Sequence, residues 1–195
     1  MTGRWIDGYS LIELVFVMGL VATLGAMAVP QTRAAMDDAR TAGAARYVAG
    51  RLQRARTEAI TRSSSVGIKF TQTGGQYAYG VYVDGNGNGV RTSDISNGID
   101  LELQASERLS DQFPSVDFGA LPGLPPVDAG GTPPGSDPVR LGSSNIASFS
   151  PQATATSGSL YIRGQHAQYV VRLYGDTART RILKFDARAR QWRPL

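Results

Sequence analysis

Cysteine is absent from the 195 residues, and histidine occurs once, at His166. Without a thiol, thiolate catalysis and Cys-ligated zinc are excluded, and the fold does without disulfides. A His-centred triad would have to use His166, which lies in Gly164-Gln165-His166-Ala167 between two predicted strands, the setting of a turn. No serine sits in a nucleophile-elbow sequence, no Walker-type phosphate loop occurs, and the carboxylates are scattered. The residues therefore point away from an enzyme. Aromatics are modest at 8% while glycine reaches 23 residues, a balance that favours a turn-rich β domain over a helical bundle.

Charge is missing from one long stretch. From Leu14 to Val29 the chain reads LVFVMGLVATLGAMAV, with one threonine and no ionisable group. Residues 9–29 make a helix of roughly 31 Å, about one bilayer core. Near its start stands a lone carboxylate, Glu13. An ionisable group there costs roughly 2.5–3.5 kcal/mol on insertion scales, less if it reaches the interface. A second reading stays open: Ala26-Met27-Ala28 has the small-x-small form of a signal-peptidase site, and cleavage after Ala28 would release a secreted soluble β protein.

The order Gly8-Tyr9-Ser10-Leu11-Ile12-Glu13, followed by the apolar run, resembles the N-terminus of type IV pilins and type II secretion pseudopilins. The resemblance implies cleavage after Gly8 by a prepilin peptidase, methylation of the new amine on Tyr9, and an assembly role for Glu13. It also implies a single-pass protein of the bacterial inner membrane, with its C-terminal domain in the periplasm and other pilins or pseudopilins as partners. Pro30 falls where that family often has a helix-bending proline. Two departures are visible: Tyr9 stands where Phe is commoner, and the leader has Asp7 beside Gly8 with only Arg4 as a basic side chain. Physically, a buried carboxylate seeks a cation, and the free amine of a neighbour's Tyr9 would lie near the same depth and fix the axial register.

Downstream, Pro30 removes one helical hydrogen bond, so a bend is expected there. The helix then continues, because Ala45, Val48, Leu52, Ala55 and Ala59 step by helical spacing and draw one apolar face. Ser63-Ser64-Ser65 ends it. Val66–Phe70 and Tyr77–Val83 read as a hairpin around Thr73-Gly74-Gly75. Ile99–Leu103 and Val116–Phe118 are candidate strands. Residues 119–138 hold six of the ten prolines and five glycines, which makes them a long loop, one expected to be mobile and open to a partner. Asn145–Phe149, Ser159–Arg163, Tyr169–Leu173, Arg181–Asp186 and Gln191–Arg193 read as strands. The expected architecture is α+β: leader 1–8, membrane helix 9–29, amphipathic continuation 30–62, and an antiparallel β domain at 63–195. A long helix followed by strands, with Phe149-Ser150-Pro151 opening the last block, resembles the GspH/FimT group of minor pseudopilins and minor pilins.

Three surface features carry function candidates. Asp84 to Asp137 holds nine acidic and two basic residues, whereas Leu160 to the end holds eight basic and two acidic. These segments would face each other between neighbouring subunits, or offer a basic surface to a polyanion, or be solvated faces. Asp84, Asn86 and Asn88, followed by Gly89, match the front half of a calcium loop, with Asp94 or Asp100 in place of the missing closing Glu; the alternative is an Asn-Gly turn. Some members of the GspH/FimT group carry a Gly-Arg-x-Arg element and bind DNA during uptake. The comparable stretch here, Gly175 to Arg181, keeps Arg179 and Arg181 but puts Asp176 beside the glycine. With Lys184 these arginines are the DNA-binding candidates, and Trp192 and Tyr174 are candidate stacking residues. The alternative is edge charge that prevents sheet-to-sheet aggregation.

Overall fold

The computed structural model describes residues 9–195. The chain divides into two compact units, Met1–Met36 and Asp37–Leu195. One helix, α1 (Leu11–Arg62), begins in the first and ends in the second. It starts at Ser10, whose carbonyl accepts the Leu14 N–H at 3.1 Å and whose hydroxyl lies 3.4 Å from the Glu13 N–H, supplying acceptors for a helix start.

Within the first unit, α1 displays its large apolar side chains instead of burying them. Leu11, Ile12, Phe16, Met18, Val21 and Leu24 are all exposed, and an 18-residue window reaches a mean hydropathy of 2.2. This helix is long and apolar enough to cross a membrane. Two of its threonine hydroxyls, those before Met36, close on the helix itself: Thr23 donates to the Gly19 carbonyl at 2.6 Å and Thr32 to Ala28 at 2.9 Å. Both polar groups thus need no outside partner in an apolar setting. The helix runs through Pro30 without interruption, although that residue has no N–H to give.

In the second unit the alanine-rich face of α1 is buried as its spacing predicts: Ala45, Val48, Leu52, Ala55 and Ala59 all lie in the core. At Ser63 the backbone turns left-handed (φ 51°) and the helix stops. The hairpin follows as β1 (Val66–Thr73) and β2 (Gln76–Val83), turning on Gly74-Gly75, both at positive φ. A short helix α2 (Thr92–Ser96), strand β3 (Leu101–Arg108) and a second short helix α3 (Leu109–Gln112) come next. Strands β4 (Asp117–Phe118), β5 (Val139–Arg140) and β6 (Ile146–Phe149) are brief. The last four are β7 (Gly158–Arg163), β8 (Gln168–Leu173), β9 (Thr180–Asp186) and β10 (Gln191–Pro194).

Two antiparallel sheets result. The first has the order β3-β2-β1-β6, and the second β10-β9-β8-β7-β4, with β5 also paired to β7. Phe118 on β4 joins them: its ring meets Phe70, Tyr79 and Tyr77 of the first sheet edge-on, at 5.3, 5.8 and 6.2 Å between centroids. Strand β3 begins later than Ile99 because Asp100 is already committed. Its carboxylate accepts the Gly85 and Arg91 N–H groups at 3.2 and 2.9 Å and folds the chain back on itself. The two short helices escape a periodicity reading, since four or five residues complete barely one turn.

The proline-rich loop is not loose. Buried Gln168 accepts the Leu121 N–H and donates to the Gly119 carbonyl, fixing the loop's start. Leu124 is buried against Tyr161, Val170 and Leu183. Trp192 donates its indole N–H to the Pro125 carbonyl at 3.1 Å. Arg140 donates to the Thr132 carbonyl at 2.6 Å, and Arg172 pairs with Asp128 at 2.6 Å. The loop covers the outer apolar patch of the second sheet and makes contacts along its length.

Candidate functional sites on the helix and the arginine face

Of the N-terminal candidates, Gly8 lies outside the described residues. Tyr9 is 84% exposed and Glu13 lies exposed in the first turn of α1. Carboxylates favour helix N-termini, where unpaired N–H groups carry partial positive charge.

The loop from Asp84 to Asp94 is closed by its own backbone. Asp84 Oδ1 accepts the Asn86 and Gly87 N–H groups at 3.1 and 2.8 Å, and Oδ2 accepts Gly89 at 2.7 Å. Asn86 accepts the Asn88 N–H and donates its carboxamide to Asp94, which also accepts the Ser93 hydroxyl. Asp84, Asp94 and Asp100 are all buried. Among the described residues no group of three or more His, Asp or Glu side chains converges as a metal site. The same burial corrects the charge map. Three acids of the acidic middle face inward as loop anchors and offer little surface to a basic partner.

The C-terminal candidates separate by strand alternation. Arg179 and Arg181 are exposed, with no carboxylate partner among the described residues. Lys184, three residues on, points to the opposite face. There its ammonium meets the Asp38 carboxylate at 2.7 Å and lies 5.8 Å from the Tyr169 ring centroid. Trp192 is likewise committed, packed on Phe185 and Tyr161 under the loop. Two further arginines lie on the face of Arg181, but the loop already engages both, Arg140 through the Thr132 carbonyl and Arg172 through the Asp128 carboxylate. Register sets Arg140 opposite Ser159, Ser159 opposite Arg172, and Arg172 opposite Arg181. Residues directly opposite share a face, so Arg140, Arg172 and Arg181 form one row across β5, β7, β8 and β9. The Arg172 guanidinium lies 5.8 Å from the Tyr174 ring centroid, and Tyr174 keeps 39% of its surface exposed. Only the pairing register reveals this row.

Beside the row, under the loop, is a cleft of about 480 Å³ lined by Arg140, Arg172, Tyr161, Asp128 and Asp137. Its charges are balanced, and Asp128 is held by Arg172 while Asp137 accepts the Val139 N–H.

The stretch from residue 44 to 177, from the buried half of α1 to just past β8, matches the family described as type II transport protein GspH. The chain belongs to this family. The resemblance read from the sequence thus holds at the level of the family, and so does the long helix followed by an antiparallel β domain. Among curated proteins, the pilin-like protein PilA1 of Thermus thermophilus is 39% identical over 85 residues, which are 42% of this chain and 50% of that relative. The match spans half of that relative's length. No solved structure matches the chain. Within the GspH frame, Tyr9 and Glu13 precede the matched stretch, and Arg179, Arg181 and Lys184 follow it.

Proposed function

We propose that this GspH-family chain is a minor pilin or pseudopilin, a structural subunit of a type II secretion pseudopilus or a type IV pilus, and not an enzyme. The observation that carries the reading is the exposed apolar segment of α1, headed by one carboxylate, on the helix whose later half is buried in a GspH-type domain. An exposed apolar surface of this length needs either lipid or neighbouring helices around it. In the proposed sequence of events, the prepilin peptidase cuts after Gly8 and methylates Tyr9 in the inner membrane, with the β domain in the periplasm. The helix then leaves lipid for the core of a filament of pilins or pseudopilins. Glu13, meeting the amine of a neighbour's Tyr9, sets the register.

The test is the intact mass and N-terminal sequence of the chain from membranes of its host. A start at methylated Tyr9 is expected. A start at Val29 would mean the secreted soluble protein and would remove any role for Glu13 in assembly. Given a Tyr9 start, Glu13→Ala is expected to be processed yet fail to enter filaments, and normal assembly of that variant would overturn the register role.

A second reading, a DNA-contacting minor pilin, is favoured by Arg179 and Arg181, both exposed and without a carboxylate partner among the described residues, beside Tyr174. Guanidiniums free of carboxylates beside an exposed aromatic ring suit a phosphate backbone and an unstacked base.

A further inference from the structure

Asparagine followed by glycine occurs three times between the first hairpin and β3: Asn86-Gly87, Asn88-Gly89 and Asn97-Gly98. In each pair the glycine nitrogen can attack the Asn Cγ. An N–Cγ bond forms, the Cγ–Nδ2 bond breaks, and ammonia leaves with the proton from the glycine nitrogen. Solvent water then opens the five-membered imide at either carbonyl, giving aspartate or isoaspartate. Glycine favours the attack because it has no side chain to obstruct it. As bare sequence the three sites are equivalent, but the fold makes them unequal.

The first two nucleophiles are locked. The Gly87 and Gly89 N–H groups both donate to the buried Asp84 carboxylate, at 2.8 and 2.7 Å on different oxygens. Hydrogen bonds to a charged acceptor are about twice as strong as neutral ones, and freeing either nitrogen strips a buried carboxylate of a donor. The Asn86 side chain is held as well, donating to Asp94 and accepting from the Asn88 N–H. The third pair differs at its nucleophile, although all three asparagines are exposed. Asn97 is exposed, and its carboxamide makes no hydrogen bond among the described residues. It caps the five-residue α2, and the Gly98 N–H donates only to the neutral Ile95 carbonyl, at 3.1 Å. Helix ends fray, and a one-turn helix is all end.

We propose that Asn97 is a site of spontaneous deamidation in the folded protein, and that the Asp84 carboxylate protects Asn86 and Asn88 from the same fate. The modification places a new carboxylate on the surface just before β3, and its isoaspartate form adds one atom to the backbone there.

The experiment is peptide mapping by mass spectrometry of the full chain in detergent micelles. It is incubated at mildly alkaline pH in ¹⁸O-labelled water, with a parallel sample in concentrated urea. In urea the three sites should convert at similar rates. In the folded sample Asn97 should convert about tenfold or more faster than Asn86 and Asn88, the ratio expected when local opening differs between sites. Asp84→Ala should raise Asn86 and Asn88 towards the rate of Asn97. Because that variant also removes a fold contact, the folded-to-urea ratio at each site in the unaltered chain is the deciding quantity. Equal protection of all three, or conversion at Asn86 or Asn88 ahead of Asn97, overturns the proposal.

Discussion

Asp37 Oδ2 accepts the backbone N–H of His166 at 2.8 Å, a contact spanning 129 positions of the chain. The same carboxylate takes the Gln165 and Ala167 N–H groups at 2.8 and 3.0 Å, so one helix side chain satisfies three consecutive amides of the β7–β8 turn. Gly164 leaves it room, since a Cβ there would collide with the Thr41 hydroxyl and the Asp37 carboxylate. Replacing Asp37 by Ala orphans three amides and is expected to cost about 2–4 kcal/mol, at 1–3 per buried unsatisfied group with partial rescue by water. Urea melts of the β domain's circular dichroism check it. A change under about 0.5 kcal/mol, the range of ordinary surface substitutions, would mean the turn closes without the carboxylate.

Such contacts mark where the sequence stops being legible. The hairpin is readable because alternation on both sides of Gly74-Gly75 is local, and the buried stripe because helical spacing is local. The Asp37 clamp and the arginine row are not local. Nothing in a count of charges says that Arg140, Arg172 and Arg181 share a row, or that Lys184 turns away from Arg181. That information resides in register, which strands widely separated in sequence settle only on pairing. Charge counting fails at Asp84, Asp94 and Asp100 for a related reason: it assumes exposure, and these three are buried.

Glu107 should confer an acid-sensitive part of the stability. On β3 it accepts the Tyr47 hydroxyl and pairs with Arg51, both from α1. Burial pushes its carboxyl up, but the hydrogen bonds from Tyr47 and Arg51 and the guanidinium charge outweigh that, leaving it below the usual glutamate range. A lowered folded pKa means the contribution is complete above the unfolded value of about 4.3 and lost as pH falls through the folded one. Glu107→Gln is expected to lose about 2–3 kcal/mol at neutral pH and to narrow its gap from the unaltered chain below about pH 4. Equal gaps at both pH values would remove the ionic part of the argument.

Trp192 should control access to the proline-rich loop. Trp192→Phe keeps an aromatic ring on Phe185 and loses the bond to Pro125, costing about 1 kcal/mol. Trp192→Ala also opens the apolar patch and is expected to speed proteolytic cleavage within residues 121–137. Cleavage rates unchanged in the Ala variant would show that Gln168 and the arginines hold the loop unaided.

The arginine face and Lys184 make opposite forecasts for DNA. If duplex DNA binds Arg179 and Arg181, Arg179→Ala with Arg181→Ala should flatten the slope of log affinity against log salt by about 1.8, at roughly 0.9 per phosphate contact. Lys184→Ala should leave that slope unchanged and cost at most about 1 kcal/mol of stability, as an ion pair near the surface does. A slope altered by Lys184 and not by the two arginines would place the contact on the other face.

Calcium should not be needed by the loop at Asp84. Its carboxylates already accept backbone amides, so the loop closes on itself without an ion. Isothermal calorimetry is expected to give no heat with calcium, and thermal melts no shift. A saturable exothermic isotherm that Asp84→Ala abolishes would restore the cation reading.

The indole that pins Pro125 is translated 67 residues after it. A chain emerging N-terminus first therefore presents the proline-rich segment well before this clasp exists, and Leu124 waits uncovered until Tyr161, Val170 and Leu183 have been made. The segment's last fastening thus reports on completion: the indole bond forms only once β10 has arrived. Any chaperone or protease acting on the nascent domain would find its window there, between the making of the loop and the making of Trp192.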